Sequence, residues 1–216
     1  MKNKLLLVFL LSLLFFLSAQ DGLSQTKKLI HYWHFNNTPP VVHLGPVAPD
    51  YSTLGNAKII YKPQPGPLPD TTHAYMDNIT PGGTLNQRSG YGGCCGSTNY
   101  GIRTRNPSVN MQLLWYIPTS AYQNIVITYE TQSSSTSSGQ HRQLFSYSTD
   151  SASTFVTTGL PMAFDSAYVD PVWEKVVLDL SSLPVVNNNG KFVFRILFAP
   201  PNTGTSGNNR FDNITV

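Results

Sequence analysis

GNNRFDNITV, residues 207–216, closes the chain, and its reading decides the fold. Phe211, Asn213 and Thr215 fall on one parity, and Asp212, Ile214 and Val216 fall on the other. A turn-forming Gly-Asn-Asn precedes the run, so it reads as a final β-strand entered from a tight loop. Such a strand needs an early partner, and LIHYWHFN (29–36) carries the matching pattern. Asp212 is out of place in a strand, where Asp is depleted unless its carboxylate finds a partner.

Working outward, short alternating runs recur at 29–36, 57–61, 101–105, 111–117, 124–131, 140–148, 173–180, 191–198 and 210–216. Clusters of Gly, Pro, Asn and Ser separate them, and no apolar stripe of period 3.6 interrupts the series. This spacing predicts an all-β fold, an antiparallel two-sheet jelly-roll sandwich. KPQPGPLPD (62–70) is a surface loop, because proline has no N–H to give a central strand. SSSTSSG (133–139) reads as a flexible tip and NNNG (187–190) as a tight turn.

Parity then selects the core: Leu113, Trp115, Ile125, Ile127, Tyr129, Phe192, Phe194, Ile196 and Phe198 face inward. The opposite parity carries Tyr116, Glu130 and Arg195, with Gln143 beside them. That face is either an ordinary solvated sheet surface or a sugar platform, where a ring takes a pyranose face and Arg, Glu and Gln bind hydroxyls. Tyr116, Glu130, Arg195 and Arg103 are the candidate ligand-binding residues.

Residues 1–20 stand apart from this pattern. Lys2 and Lys4 precede an apolar run over 5–17, and Ser18-Ala19 offers a cleavage site. The segment reads as a secretory signal peptide rather than a membrane anchor, leaving 21–216 as one domain. Without Lys2 and Lys4 the 14 basic side chains fall to 12, against 11 acidic. No Lys/Arg run occurs, so neither nucleic acid nor membrane insertion is expected. Only 12% of residues are charged, which with the many turn residues suits an extracellular domain.

Cys94 and Cys95 are the two cysteines, adjacent within GYGGCCGSTNYG. Export permits a vicinal disulfide, two free thiols or an intermolecular link. A vicinal bridge would close no long loop and would act by stiffening a loop tip. A zinc site lacks ligands here.

HYWHFNN, GTLNQR (83–88), IRTRNPS (102–108), MQLLWYIPTSAYQNIVITYET, LFSYSTD and GNNRFDNITV together resemble the β-sandwich modules of large secreted and surface proteins of Bacteroidetes. Those proteins are often exported by the type IX system. The resemblance spans most of residues 21–216 and implies a non-catalytic module similar to jelly-roll carbohydrate-binding and MAM-like adhesion domains. No sorting domain of the type IX kind is recognised in the sequence, which departs from the pattern. In the carbohydrate modules a terminal-strand Asp helps hold a structural calcium. The resemblance therefore assigns Asp212 as a metal ligand, with Asn36 and Asn37 as further oxygen donors. Calcium needs about 6–8 oxygens, so backbone carbonyls would complete the shell. The simpler alternative is an Asp that caps a turn or pairs with Arg210.

Catalytic patterns are weak. SYSTDSASTF (146–155) resembles an Asp-box, a structural hairpin in sialidases, with Ser148, Asp150 and Thr154 stapling a turn. A glycosidase needs two carboxylates flanking the scissile bond, and no pair stands out by spacing. The nucleophile elbow of serine hydrolases is absent. His31 and His34, three apart on a strand, point to opposite sides, a spacing poor for sharing a metal. The expected function is therefore a secreted, non-catalytic module at the cell surface that binds carbohydrate or a surface protein. A structural spacer or adhesion domain of a larger surface protein is the alternative, and a glycan-active hydrolase the weakest reading.

Overall fold

The computed structural model describes residues 26–37, 45–62, 76–92, 95, 99–135, 138–200 and 206–216. Two antiparallel sheets pack against each other, as the alternation predicts. The five-stranded sheet runs β3 (Lys58–Lys62), β6 (Gln112–Tyr116), β11 (Val193–Phe198), β8 (Arg142–Ser148) and β9 (Phe164–Ser166). The seven-stranded sheet runs β10 (Glu174–Asp179), β7 (Val126–Ser133), β12 (Asn208–Thr215), β1 (His31–Trp33) and β2 (Tyr51–Ser52). Its remaining strands are β5 (Gly101–Arg105), which pairs with β12, and β4 (Met76–Ile79), which pairs with β5.

The closing strand is the organiser. β12 lies along β7 on one edge, while β5 and β1 share the other, with Phe211 opposite Ile102 and Ile214 opposite Trp33. Strict alternation would send Phe211 and Ile214 to opposite faces, yet both lie in the core. A β-bulge reconciles them. Between Asp212↔Glu130 and Thr215↔Thr128 the strand spends one extra residue, and Asn213 takes a φ of 46°. The two-parity reading of 211–216 is thereby corrected: Asn213 turns away from the core and Ile214 turns in.

The inward residues chosen by parity are all buried. Trp115 sits among Tyr129, Phe194 and Phe211, edge-on to Tyr129 with centroids 5.0 Å apart. Burying each such side chain contributes roughly 1.5–3 kcal/mol, and edge-to-face contacts add to it. The hydroxyl of Ser148 donates to Asp150 Oδ1 at 2.6 Å, and that of Thr154 to Oδ2 at 2.6 Å, forming the expected stapled turn. His31 packs beside Trp33 and His34 beside Tyr32, on opposite sides as their spacing requires.

Candidate functional site

The outer face of the seven-stranded sheet is half sealed and half open, and the seal explains the opening. Glu130 on β7 and Asp212 on β12 are directly opposed, point away from the core, and are both fully buried. The chain from Gly82 to Arg88 lies across them. The Gly83 N–H donates to Asp212 Oδ2 at 2.9 Å, and the Asn86 N–H donates to Glu130 Oε1 at 2.7 Å. Asn213, turned outward by the bulge, donates to Gly83 O and Glu130 Oε1, both at 2.9 Å. Asn86 Nδ2 returns a bond to Asn213 O at 2.7 Å. Only glycine permits so close an approach, because a methyl group at Gly82 would strike Asp212 Oδ2 and one at Gly83 would strike Glu130 Oε2. Burial pushes the Asp212 carboxyl well above its usual range, and the Glu130 and Asp50 charges add to that. Glu130 Oε2 is buried with no hydrogen-bond partner.

The same loop carries Arg88 to the edge of the seal. Its N–H donates to the Tyr32 hydroxyl at 3.1 Å and its Nη2 to Asn86 Oδ1 at 3.1 Å. Beyond Arg88 the face opens into a groove of about 1260 Å³. Val126, Thr128, Val177 and Thr215 contribute from the sheet, while Lys27, Lys28, Tyr91 and Tyr122 contribute from flanking segments. Both rings are half-buried and pre-positioned. Tyr91 packs edge-on to Tyr51 at 4.6 Å, and the Tyr122 hydroxyl meets Thr53 Oγ1 at 3.1 Å. Thr26, Ser181, Ser182, Gln123 and Asn124 add hydroxyl and amide groups. An open groove with braced rings and polar rims suits an extended polar ligand, which then orders few side chains on binding.

The residues nominated from the sequence do not assemble into one platform. Tyr116 and Arg195 do share the outer face of the five-stranded sheet. There the Lys58 ammonium lies 5.0 Å over the Tyr116 ring, and the Arg195 guanidinium lies 3.9 Å over Phe155. Gln143 points inward instead, accepting from the Tyr129 hydroxyl at 3.2 Å and donating to Thr131 Oγ1 at 2.7 Å. Glu130 belongs to the other sheet and is sealed from solvent. Arg103, on β5, is bound to Asp77 through Nε at 2.7 Å and Nη2 at 3.0 Å. Parity tells which face of a strand is which, but not which sheet the strand joins. The groove residues Arg88, Tyr91 and Tyr122 were missed because they come from loops, which carry no periodicity.

Nor does Asp212 pair with Arg210, which binds Gln132, Asn208 and Asp170. Both Asp212 oxygens accept N–H groups, the second from Asn213 at 2.6 Å. Asn36 Oδ1 accepts the Tyr100 N–H at 2.7 Å, and Asn37 is exposed. A cation held by Asp212 and Asn36 would have to displace those donors. Among the described residues no group of three or more His, Cys, Asp or Glu gathers for a metal. Cys94, and with it the Cys94–Cys95 pairing, lies outside the described residues; Cys95 has a φ of 66°.

A carboxyl pair invisible to spacing does exist. Asp165 on β9 lies against Glu174 on β10, where the edges of the two sheets meet. Burial, then the neighbouring Asp165 charge, push the Glu174 carboxyl up to about 7. Among the described residues no helix is long and apolar enough to cross a membrane. Comparison with protein families and with curated proteins finds no match to this chain.

Proposed function

We propose that the chain is a secreted, non-catalytic β-sandwich module that binds a glycan chain in the groove beside Arg88. The observation that carries this reading is the pair of braced rings, Tyr91 and Tyr122, in an open groove with hydroxyl and amide groups around them. The leader-like residues 1–20 and the resemblance to Bacteroidetes surface modules support export to the cell surface. The test is retention on insoluble polysaccharides and on a glycan array. Tyr91→Ala and Tyr122→Ala should each weaken retention about tenfold, while Tyr116→Ala and Arg195→Ala, on the opposite sheet, leave it unchanged. Loss in the second pair only would move the site to the five-stranded sheet. Retention by no glycan would favour a protein-contacting spacer or adhesion domain.

A structural calcium at Asp212, with Asn36 and Asn37, is the second element of the proposal. Glu130 Oε2, buried beside Asp212 without a donor, is the observation that favours a cation there. Calcium would supply positive charge against both carboxylates and tie the chain ends together. Chelation should then lower the melting temperature; an unchanged melting curve removes calcium from the reading.

A further inference from the structure

The charge lining the groove narrows its ligand, in an inference that rests on the glycan reading above. Lys27, Lys28 and Arg88 line it against one acidic side chain, Asp179. Asp179 accepts the Ser181 N–H at 2.9 Å and is also attracted by Lys27, so it offsets at most one of the three cations. The chain as a whole is close to balanced, with 14 basic and 11 acidic side chains. The excess of cations in the groove is therefore local.

On the other sheet three cations are engaged by rings. Lys58, Arg142 and Arg195 each lie over an aromatic ring, those of Tyr116, Phe164 and Phe155. In the groove Lys27, Lys28 and Arg88 are exposed. Arg88 is also aimed, because the loop that seals Glu130 and Asp212 fixes its backbone and one arm of its guanidinium. A concave surface lined by one sign of charge concentrates counter-ions, and a guanidinium offers a forked pair of donors to planar or tetrahedral oxyanions.

We propose that the groove selects an anionic glycan, with Lys27, Lys28 and Arg88 meeting carboxylate or sulfate groups while Tyr91 and Tyr122 take sugar faces. Four polymers test this with the full chain: polygalacturonate, its methyl-esterified form, dextran sulfate and dextran. Retention of polygalacturonate or dextran sulfate but not of its neutral counterpart is the expected result, the two arms separating carboxylate from sulfate. Binding should weaken as salt rises past about 0.15 M. Lys27→Glu with Lys28→Glu, both exposed and with an unchanged melting curve as the folding control, should weaken it about tenfold or more, and Arg88→Lys less. Equal retention of charged and neutral forms overturns the anion selectivity and leaves the groove as a glycan site. Anionic binding untouched by the double reversal overturns the assignment to these residues. Retention of none of the four overturns the selectivity, and silence on a broad glycan array then removes the groove reading itself.

Discussion

Glu130 and Asp212 oppose each other across β7 and β12 with no exposure, whereas Asp165 and Glu174 meet half-buried at the lateral edge where β9 and β10 end their sheets. The inner pair is surrounded by donors. Backbone N–H groups of Gly83, Asn86 and Asn213, together with the Asn213 amide, occupy three of its four oxygens. The outer pair receives the Tyr168 N–H on Glu174 Oε1 at 2.8 Å, and Asp165 Oδ2 is buried with no N–H or hydroxyl donor. Two carboxyl groups can share a hydrogen bond only when one keeps its proton. The difference teaches how a β-sandwich houses acidic residues away from water. Fixed amide donors hold the carboxyl oxygens in place of water, although burial still raises Asp212 well above its usual range, while a shared proton holds its pair only below the pair's titration.

The largest effect should come from breaking the donor-held pair. Gly83→Ala would force a methyl group against Glu130 Oε2 and lift the loop, costing about 3 kcal/mol. Glu130→Ala would strand the Asn86 N–H and one hydrogen of the Asn213 amide, whose other stays with Gly83 O, at about 2–4 kcal/mol. If amide donors alone hold the pair, Glu130→Gln, which keeps one acceptor and removes the charge, should stay within about 1 kcal/mol of wild type. Denaturant unfolding measures all three. A Gln variant as unstable as the Ala variant would show that the charge itself is needed, pointing back to a cation beside Glu130.

The shared-proton pair predicts a smaller, pH-dependent effect. Glu174 titrates near 7 in the fold against an ordinary 4.5, so the folded state holds its proton more tightly than the unfolded chain. Its contribution is complete below about pH 4.5 and is lost as pH rises through about 7. For a half-exposed pair screened by solvent the loss is about 1 kcal/mol, or roughly 2–4 °C in melting temperature. The Glu174→Gln variant should lack that decline between pH 5 and 8. Parallel melting curves for the two proteins across the range would remove the shared proton.

How much of this was legible depends on whether a signal is local. The closing strand and its early partner were readable, because 29–36 and 207–216 each carry alternation and turn signals of their own. So was the Ser148–Asp150–Thr154 turn, whose bonds run over a few residues. The bulge was not, since Asn213 differs from any other strand polar residue only in its φ. The expected platform failed because β7 joins β12 while β6 joins β11, a choice made by packing of whole sheets. GTLNQR is legible in the sequence only through its resemblance. Its physical content, Gly83 for close approach, Asn86 for the bulge and Arg88 for the groove, needs the buried acids in place before it means anything. Asp165 and Glu174 sit on different sheets, and no periodicity links them.

Arg103 offers the gentlest test, a third way of placing an acid. Asp77 is shared by Arg103 and Arg105, with the Arg105 Nη2 at 3.0 Å, and Arg210 lies directly across from Arg103 on β12. Three guanidiniums thus crowd one face, and like charges opposite one another in a sheet repel. Asp77 offsets that repulsion, but the partly exposed arginines are also hydrated, so the ion pairs are worth little. Asp77→Ala should cost about 0.5 kcal/mol, less than either carboxyl pair, and the cost should shrink at roughly 1 M salt. A loss above that of Glu130→Ala would reverse the order and make ion pairing, rather than buried amide donors, the main hold on this face. If the cost instead persists at high salt, Asp77 acts through strand pairing between β4 and β5 and not through charge.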